Sequence, residues 1–320
     1  MKISTEELKK VIVNKLNRIY DLDDSESIAE VIMCAELSGK VSHGIVRLTS
    51  KWANKLDADR TGKPKIIKIS QNVSLVDGCN NAGMLVLSVA TDEAIKLAGQ
   101  NSLVLVGTKN GTLTSGYISY YLRKLADNGL IGMIMARSGS AVRGFGSTKP
   151  LFGTNPIGYG FPQKDNHFIF DMSTAIISYG GLMNYMAQGK PLPEGLAFDP
   201  DGKPTTDAAA AMKGSVVTFD KSYKSAGLAL MVEVLAGIFT GADFSSLNEN
   251  NWGNLILGIK SDLFLEAGQF ESKLQIYLDG IRKDIPDHRL PGDIAEATYK
   301  NNVNSGFVDV DDKTFDIIQK

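Results

Sequence analysis

The 320-residue chain is short of the residues that usually announce a function: it has two cysteines, three histidines and two tryptophans. Cys34 and Cys79 lie among apolar or small residues with no second sulfur or imidazole beside them, which excludes a disulfide scaffold and reads as free thiols. His43, His167 and His288 are joined by no HExxH, CxxC or carboxylate cluster, so neither a structural nor a catalytic metal is expected. An excess of one charge is also lacking, since 34 Lys+Arg against 36 Asp+Glu leave a formal net charge of -2. Nothing in that balance would draw nucleic acid or an anionic membrane. The opening MKISTEELKK turns polar at once, without the apolar stretch of roughly 7 to 15 residues that an export signal carries. The most apolar stretch, 227–241, is interrupted by Glu233 and is shorter than the about 20 residues that span a bilayer, so a buried helix is expected there. A cytoplasmic protein is the expectation.

What is present is a globular composition, 43% hydrophobic, 22% charged and 8% aromatic, at a length that suggests about two lobes. Ser4-x-x-Glu7 is a capping box, and Leu8, Val11, Ile12, Leu16 and Ile19 follow at helical spacing. Ile28, Val31, Ile32 and Ala35 predict a second helix over about 25–37, which Gly39 ends. From about Asn72, short apolar runs at 73–76, 103–106, 130–135 and 168–170 alternate with helical stretches at 84–98, 116–127 and 174–187, the pattern of an α/β lobe. An apolar helix at 226–238 precedes a strand at 255–259 and an amphipathic stretch at about 268–283. The turns at 61–64 and 199–206 stand out by their Gly, Pro and Asp content.

Common nucleotide and hydrolase motifs are missing. Gly144-Phe145-Gly146 and Gly158-Tyr159-Gly160 lack the third glycine of GxGxxG, and neither a Walker A loop nor a GxSxG elbow occurs. The informative segment is Ser42-His43-Gly44-Ile45-Val46-Arg47-Leu48. It sets a titratable imidazole and a guanidinium four residues apart, on one side of a helix if one begins near Gly44. Such a pair suits a carboxylate next to a reducible carbonyl: the guanidinium grips the carboxylate and the imidazole gives or takes a proton. The plainer alternative is a helix cap followed by a surface arginine.

This segment, taken with Leu151-Phe152-Gly153-Thr154-Asn155-Pro156, Asp171-Met172-Ser173-Thr174-Ala175, Gly202-Lys203-Pro204-Thr205-Thr206-Asp207 and the stretch 224–241, resembles the malate/L-lactate dehydrogenase family of NAD(P)-dependent oxidoreductases. That group also holds sulfolactate, ureidoglycolate and diketogulonate enzymes and a cyclic-imine reductase, and is distinct from the Rossmann-type lactate dehydrogenases. The resemblance runs from the first helix to Leu290-Pro291-Gly292-Asp293.

The resemblance implies an α/β protein with a non-Rossmann nicotinamide-binding fold, in which a mixed-sheet lobe (71–240) is inserted into a mainly helical, discontinuous lobe (1–70 and 241–320). It implies a homodimer, NAD or NADP as cofactor, and a small 2-oxo or 2-hydroxy acid as substrate. His43 then matches the acid/base, and Asp171 a carboxylate that orients it, unless Asp171 only caps a helix beginning near 174. Ser42, Arg47 and Thr114 fall on the substrate side. Ser138, Gly153, Thr154, Asn155, Met172, Ser173, Thr174 and Lys224 match positions lining the cofactor, although Lys224 taken alone reads as a solvated lysine.

Several positions depart from the family pattern. Thr114 stands where a second active-site histidine is usual, and a hydroxyl cannot carry a proton at neutral pH as imidazole can. Ser225 replaces a glycine of the KGxGL element, Tyr179-Gly180-Gly181 stands where RGK is usual, and Arg137 where asparagine precedes Ser138. Two readings follow: an enzyme whose substrate is bulkier or less anionic than malate, or a catalytically silent member that holds a dinucleotide or metabolite without turnover.

Overall fold

The computed structural model describes residues 1–49, 59–164, 166–245, 251–286 and 289–319; His288 lies outside them. Strand β1 (Lys2–Ser4) runs into helix α1 (Thr5–Leu16), whose N-cap is Ser4, its Oγ accepting the Glu7 N–H. Leu8, Ile12 and Leu16, one helical turn apart, are buried. Helix α2 (Leu22–Leu37) begins three residues earlier than its periodicity predicts because Asp21 caps it through the Asp24 N–H. Two 3₁₀ turns, Val41–His43 and Ile45–Leu48, follow around Gly44.

The alternating region then runs through β2 (Lys65–Lys68), β3 (Val73–Asp77), α3 (Gly83–Ala98), β4 (Leu103–Gly111), α4 (Ile118–Asp127) and β5 (Leu130–Ala136). It continues with β6 (Val142–Arg143), β7 (Ile157–Phe161), β8 (Phe168–Met172), α5 (Tyr179–Gln188), β9 (Ala197–Phe198), β10 (Pro204–Thr205) and α6 (Ala208–Lys213). The last part carries β11 (Ser215–Val217), α7 (Tyr223–Val232), β12 (Trp252–Lys260), α8 (Gln269–Asp284), α9 (Asp293–Ser305), β13 (Phe307–Asp309) and α10 (Asp312–Gln319).

Seven strands form a mixed sheet in the order β2-β3-β4-β12-β5-β7-β8, in which β3 and β4 are parallel and every other pair is antiparallel. One parallel pair is far from the all-parallel, doubly wound sheet of a Rossmann fold. A smaller sheet, β10-β9-β11-β6, has its own core of Val142, Phe152, Leu182, Val216 and Ala229. The larger core joins Leu8, Ile12, Ile32, Leu85, Val106, Ile134 and Ile256, so the N-terminal helices and the seven-stranded sheet share one interior. Strands β2 and β12 come from ranges expected to be mainly helical. β12 joins the sheet because Leu255-Ile256-Leu257 is apolar on both faces and is sandwiched between β4 and β5, whereas β2 is an exposed edge strand paired with β3.

Two helices differ from expectation. The stretch before Tyr179 is extended rather than helical from 174, because Ser178 is the N-cap of α5 and Thr174 is tied to the Thr154 and Phe219 backbones. The apolar run after Tyr223 is not buried all round. It is 18 residues of mean hydropathy 1.3, long and apolar enough by length and composition to cross a membrane, and 44% buried. Ala226, Ala229, Val232, Glu233 and Ala236 face inward, whereas Leu230, Val234 and Ile238 are exposed. The α-helix gives way at Glu233 to one π-helical turn, Glu233–Gly237, and then to a 3₁₀ turn, Ile238–Thr240.

Candidate active site

The turns after α2, the loop from β4 to α4, the exit of β5, the loop before β7 and the start of α5 converge on one cavity of about 230 Å³. Its lining includes His43, Arg47, Thr114, Ser138, Thr154 and Tyr179. Five segments spread over more than a hundred residues thus bring together the imidazole, the guanidinium and three of the expected hydroxyls.

The His43 wall is set by Glu36. Its carboxylate accepts the Ile45 N–H at 2.6 Å, and a Cβ on Gly44 would come within 1.9 Å of its Oε1. Only glycine therefore fits between His43 and the second 3₁₀ turn. Burial raises the Glu36 carboxyl to about 7. His43 Nδ1 pairs with Ser42 Oγ at 3.1 Å, and the Arg47 Nε–H donates to the Ser42 carbonyl at 2.8 Å. Burial pulls the His43 imidazole down to about 3, helped by the Arg47 and Lys40 cations. Burial likewise lowers the Arg47 guanidinium, to about 10. Instead of one helix face, it is two tight turns around Gly44 that aim both groups into the cavity. Ser42 lines an adjoining cavity of about 590 Å³, which shares Arg47, Ser178 and Gly180 with the first.

Thr114 is buried, with its Oγ1 accepting the Gly116 N–H at 3.1 Å, and it follows Leu113, held at φ +66°. A β-branched or bulky residue in this left-handed region is uncommon, and the strain sits where the loop turns into the cavity. Asp171, the last but one residue of β8, is hydrogen-bonded to Ser119, in a separate cavity of about 100 Å³ that also includes Tyr117 and Lys40. Burial raises its carboxyl. The structure thus gives His43 a serine partner, Ser42, and gives Asp171 another, Ser119; Asp171 caps no helix.

The opposite wall is a closed hydrogen-bonded layer. Thr154 donates its N–H to Ser138 Oγ at 2.9 Å, and the two hydroxyls are 3.1 Å apart. Gly153 lies so close that a Cβ would meet the Ser138 carbonyl and Oγ at 2.4 Å. The Thr154 carbonyl accepts from Ser173 Oγ and from both the N–H and Oγ1 of Thr174. Asn155 is fully buried at φ +39°, its Oδ1 accepting the Ser138 N–H and its Nδ2 donating to the Ala229 carbonyl and to Glu233. Its amide therefore fastens the loop from behind. Met172 is half-buried beside these residues in sequence, at the end of β8. Lys224 is exposed in the first turn of α7, its N–H held by Ser222 Oγ, and is not among the residues lining the cavity. Ser225, in place of glycine, bonds to Asp220 and to the Ser222 carbonyl.

Hydroxyls of Ser138, Ser140 and Thr154 alternate on this wall with Ala136, Ala141 and Pro156. A flat ring bearing an amide fits such a surface, since hydroxyls both give and accept hydrogen bonds and the small apolar residues allow close approach. Trp252 and Ser140 line the cavity without a sequence signal that singled them out. Glu233 carried one: a lone carboxylate in an apolar helix must find partners once buried.

The family model described as malate/L-lactate dehydrogenase matches residues 3–319. The L-sulfolactate dehydrogenase of Methanothermobacter thermautotrophicus is 30% identical over 333 residues, covering 99% of this chain and 95% of its own. The ureidoglycolate dehydrogenase (NAD(+)) of Escherichia coli K12 is 30% identical across 86% of this chain and 81% of its own. The (2R)-3-sulfolactate dehydrogenase (NADP(+)) of Chromohalobacter salexigens is 33% identical across 69% and 66%. The solved sulfolactate dehydrogenase of Methanocaldococcus jannaschii superposes with a TM-score of 0.86 at 29% identity, over 99% of this chain and 95% of that one.

Proposed function

This chain belongs to the malate/L-lactate dehydrogenase family, as an NAD(P)-dependent oxidoreductase of small 2-hydroxy acids, and we propose that His43 gives and takes the proton while Arg47 holds the substrate carboxylate. The observation that carries the reading is the single cavity in which the His43 and Arg47 turns face the Ser138 and Thr154 hydroxyls.

The Ser138–Thr154 wall would hold a nicotinamide, which would supply or accept the hydride. The protein's own share is positioning and proton handling. Arg47 presents a planar donor fork, already oriented by its bond to the Ser42 carbonyl, so a carboxylate docks in one orientation. In the free protein His43 is neutral, which suits it to accept the hydroxyl proton of a 2-hydroxy acid. For the reverse direction a proton must be loaded first. A carboxylate on Arg47 offsets one of the two cations that hold the imidazole down, so substrate anion and proton enter together. Thr114 offers the substrate a hydroxyl in place of a second imidazole.

Among the described residues lining the cavity, Arg47 is the cation and His43 is neutral. One carboxylate is thereby matched, and a second buried anion would lack a described partner there. We therefore read the substrate as a 2-oxo or 2-hydroxy acid, or a cyclic imine carboxylate, whose remaining part is uncharged. NAD and NADP are both used within the family. A homodimer in the cytoplasm, with a 71–240 lobe inserted in a 1–70 and 241–320 lobe, completes the proposal.

The test is oxidation of NADH and NADPH by the purified protein with a panel of 2-oxo acids of one and two acidic groups plus a cyclic imine carboxylate. Turnover with a singly charged acid is the expected result. Dinucleotide binding without turnover of any acid returns the protein to the silent reading, and a preference for oxaloacetate overturns the charge argument.

A further inference from the structure

Glu233 lies outside the cavity and faces none of its space, yet its carboxylate is the meeting point of the wall that carries Ser138 and Thr154. Oε1 accepts the Gly153 N–H at 3.2 Å, the Asn155 Nδ2–H at 2.9 Å and the Ser245 hydroxyl, while Oε2 accepts the Ser245 N–H at 3.0 Å. The same Ser245 hydroxyl lies 2.6 Å from the Ser138 carbonyl. Behind the carboxylate, Arg137 is 0% exposed, with Nε 3.8 Å from Oε2 and Nη1 donating to the Asn251 carbonyl at 2.8 Å. The helix that carries Glu233 changes there from α to a π turn, Glu233–Gly237, a local widening that is uncommon and concentrated at functional sites.

We propose that Glu233, backed by Arg137, is the positioning residue of the wall: it fixes residues 138 and 153–155 relative to each other so that the Ser138 and Thr154 hydroxyls present one rigid surface to the dinucleotide. Three N–H donors, from Gly153, Asn155 and Ser245, converge on the two carboxylate oxygens, and the one proton of the Ser245 hydroxyl is shared between Oε1 and the Ser138 carbonyl. Arg137, fully buried, stands behind the carboxylate on its Oε2 side. A side chain on Gly153 would meet Ser138, and Asn155 is held at positive φ, so the loop is tightly specified and the carboxylate is the acceptor that its Gly153 N–H and Asn155 amide share. The dinucleotide part of this inference rests on the functional reading above; the positioning part does not.

Two variants separate the parts. Glu233→Gln keeps the shape but turns an amide donor toward a cluster of donors, and Ser245→Ala removes one tie and is the milder change if the first does not fold. Hydrogen exchange of the amides in 138–142 and 151–156 is measured alongside fluorescence titration of NADH and NADPH, thermal unfolding, and kcat and KM. The expected result for Glu233→Gln is about tenfold faster exchange confined to those two segments and an about tenfold weaker dinucleotide Kd, with the KM for the acid substrate little changed; Ser245→Ala gives about threefold on the same readouts. Unchanged exchange in the two segments overturns the proposal. So does faster exchange throughout the core with a lowered Tm and an unchanged Kd, the signature of a merely structural residue. If exchange quickens locally while neither dinucleotide binds even the unaltered protein, the positioning role stands and the cofactor reading of the wall falls.

Discussion

On one side of the cavity, two 3₁₀ turns around Gly44 carry an imidazole and a guanidinium that burial has pushed toward their uncharged forms. On the other, residues 138 and 153–155 are fastened to one another and to Glu233 by hydrogen bonds that close within the protein. The first wall exposes charge chemistry whose state depends on what arrives. The second is finished before anything arrives. The difference teaches how a small cavity divides its labour: the group that must change protonation sits on a short turn, and groups that must only present a shape sit in a network.

The sharpest way to break this comparison is His43→Gln, which keeps a polar side chain but cannot cycle a proton. Turnover is expected to fall by roughly 10²- to 10⁴-fold while dinucleotide Kd stays near that of the unaltered protein, because the second wall is untouched. Steady-state rates and fluorescence titration check both halves; equal losses in rate and dinucleotide affinity would show that the two walls are not independent.

Arg47→Lys keeps the charge and removes the planar fork. A drop in kcat/KM of about 10- to 100-fold, carried mainly by KM for the acid, is expected from losing charge-assisted bonds of fixed geometry. Progress curves over a range of acid concentrations measure it, and an unchanged KM would take the carboxylate away from Arg47.

The smallest step, per unit of pH, comes from the imidazole itself. His43 is lowered to about 3 in the free protein, so its protonated fraction falls about tenfold per pH unit above that value. Reduction of a 2-oxo acid needs the protonated form, so its kcat/KM is expected to fall with that slope between about pH 6 and 9. Oxidation of the 2-hydroxy acid uses the neutral form, which predominates throughout, and is expected to stay flat with respect to His43. Matching slopes in both directions would remove His43 as the proton carrier.

The two walls were also unequally legible in the sequence. The catalytic turn was readable because its chemistry is local: Ser42, His43, Gly44 and Arg47 are consecutive or nearly so, and Gly44 is explained by the proximity of Glu36. The second wall is assembled from 137–138, 153–155, 173–174, 233 and 245, so resemblance pointed to several of its members but spacing alone pointed to none. Asn155 illustrates the limit. Its position was marked as cofactor-lining, whereas the fold turns its amide inward to Ser138, Ala229 and Glu233. Periodicity found α1, α2, α3 and the strand at 255–259, since each has one dominant apolar pattern. It could not place β12 at the middle of the sheet, because strand order is decided by pairing over more than a hundred residues. The apolar helix expected at 226–238 is exposed on one face for a related reason: a composition hydrophobic all round does not say which face small residues such as Ala226 and Ala229 turn inward.

The central place of β12 also bears on how the chain is made. Its partners β4 and β5 leave the ribosome long before residues 252–260, at about 5 to 20 residues per second, and must wait with a strand-wide gap between them. Such distant pairing slows folding and leaves two unpaired edges open to other chains in the interval. Until residues 252–260 emerge, the edges of β4 and β5 that β12 covers are the part of the sheet most open to pairing with other chains.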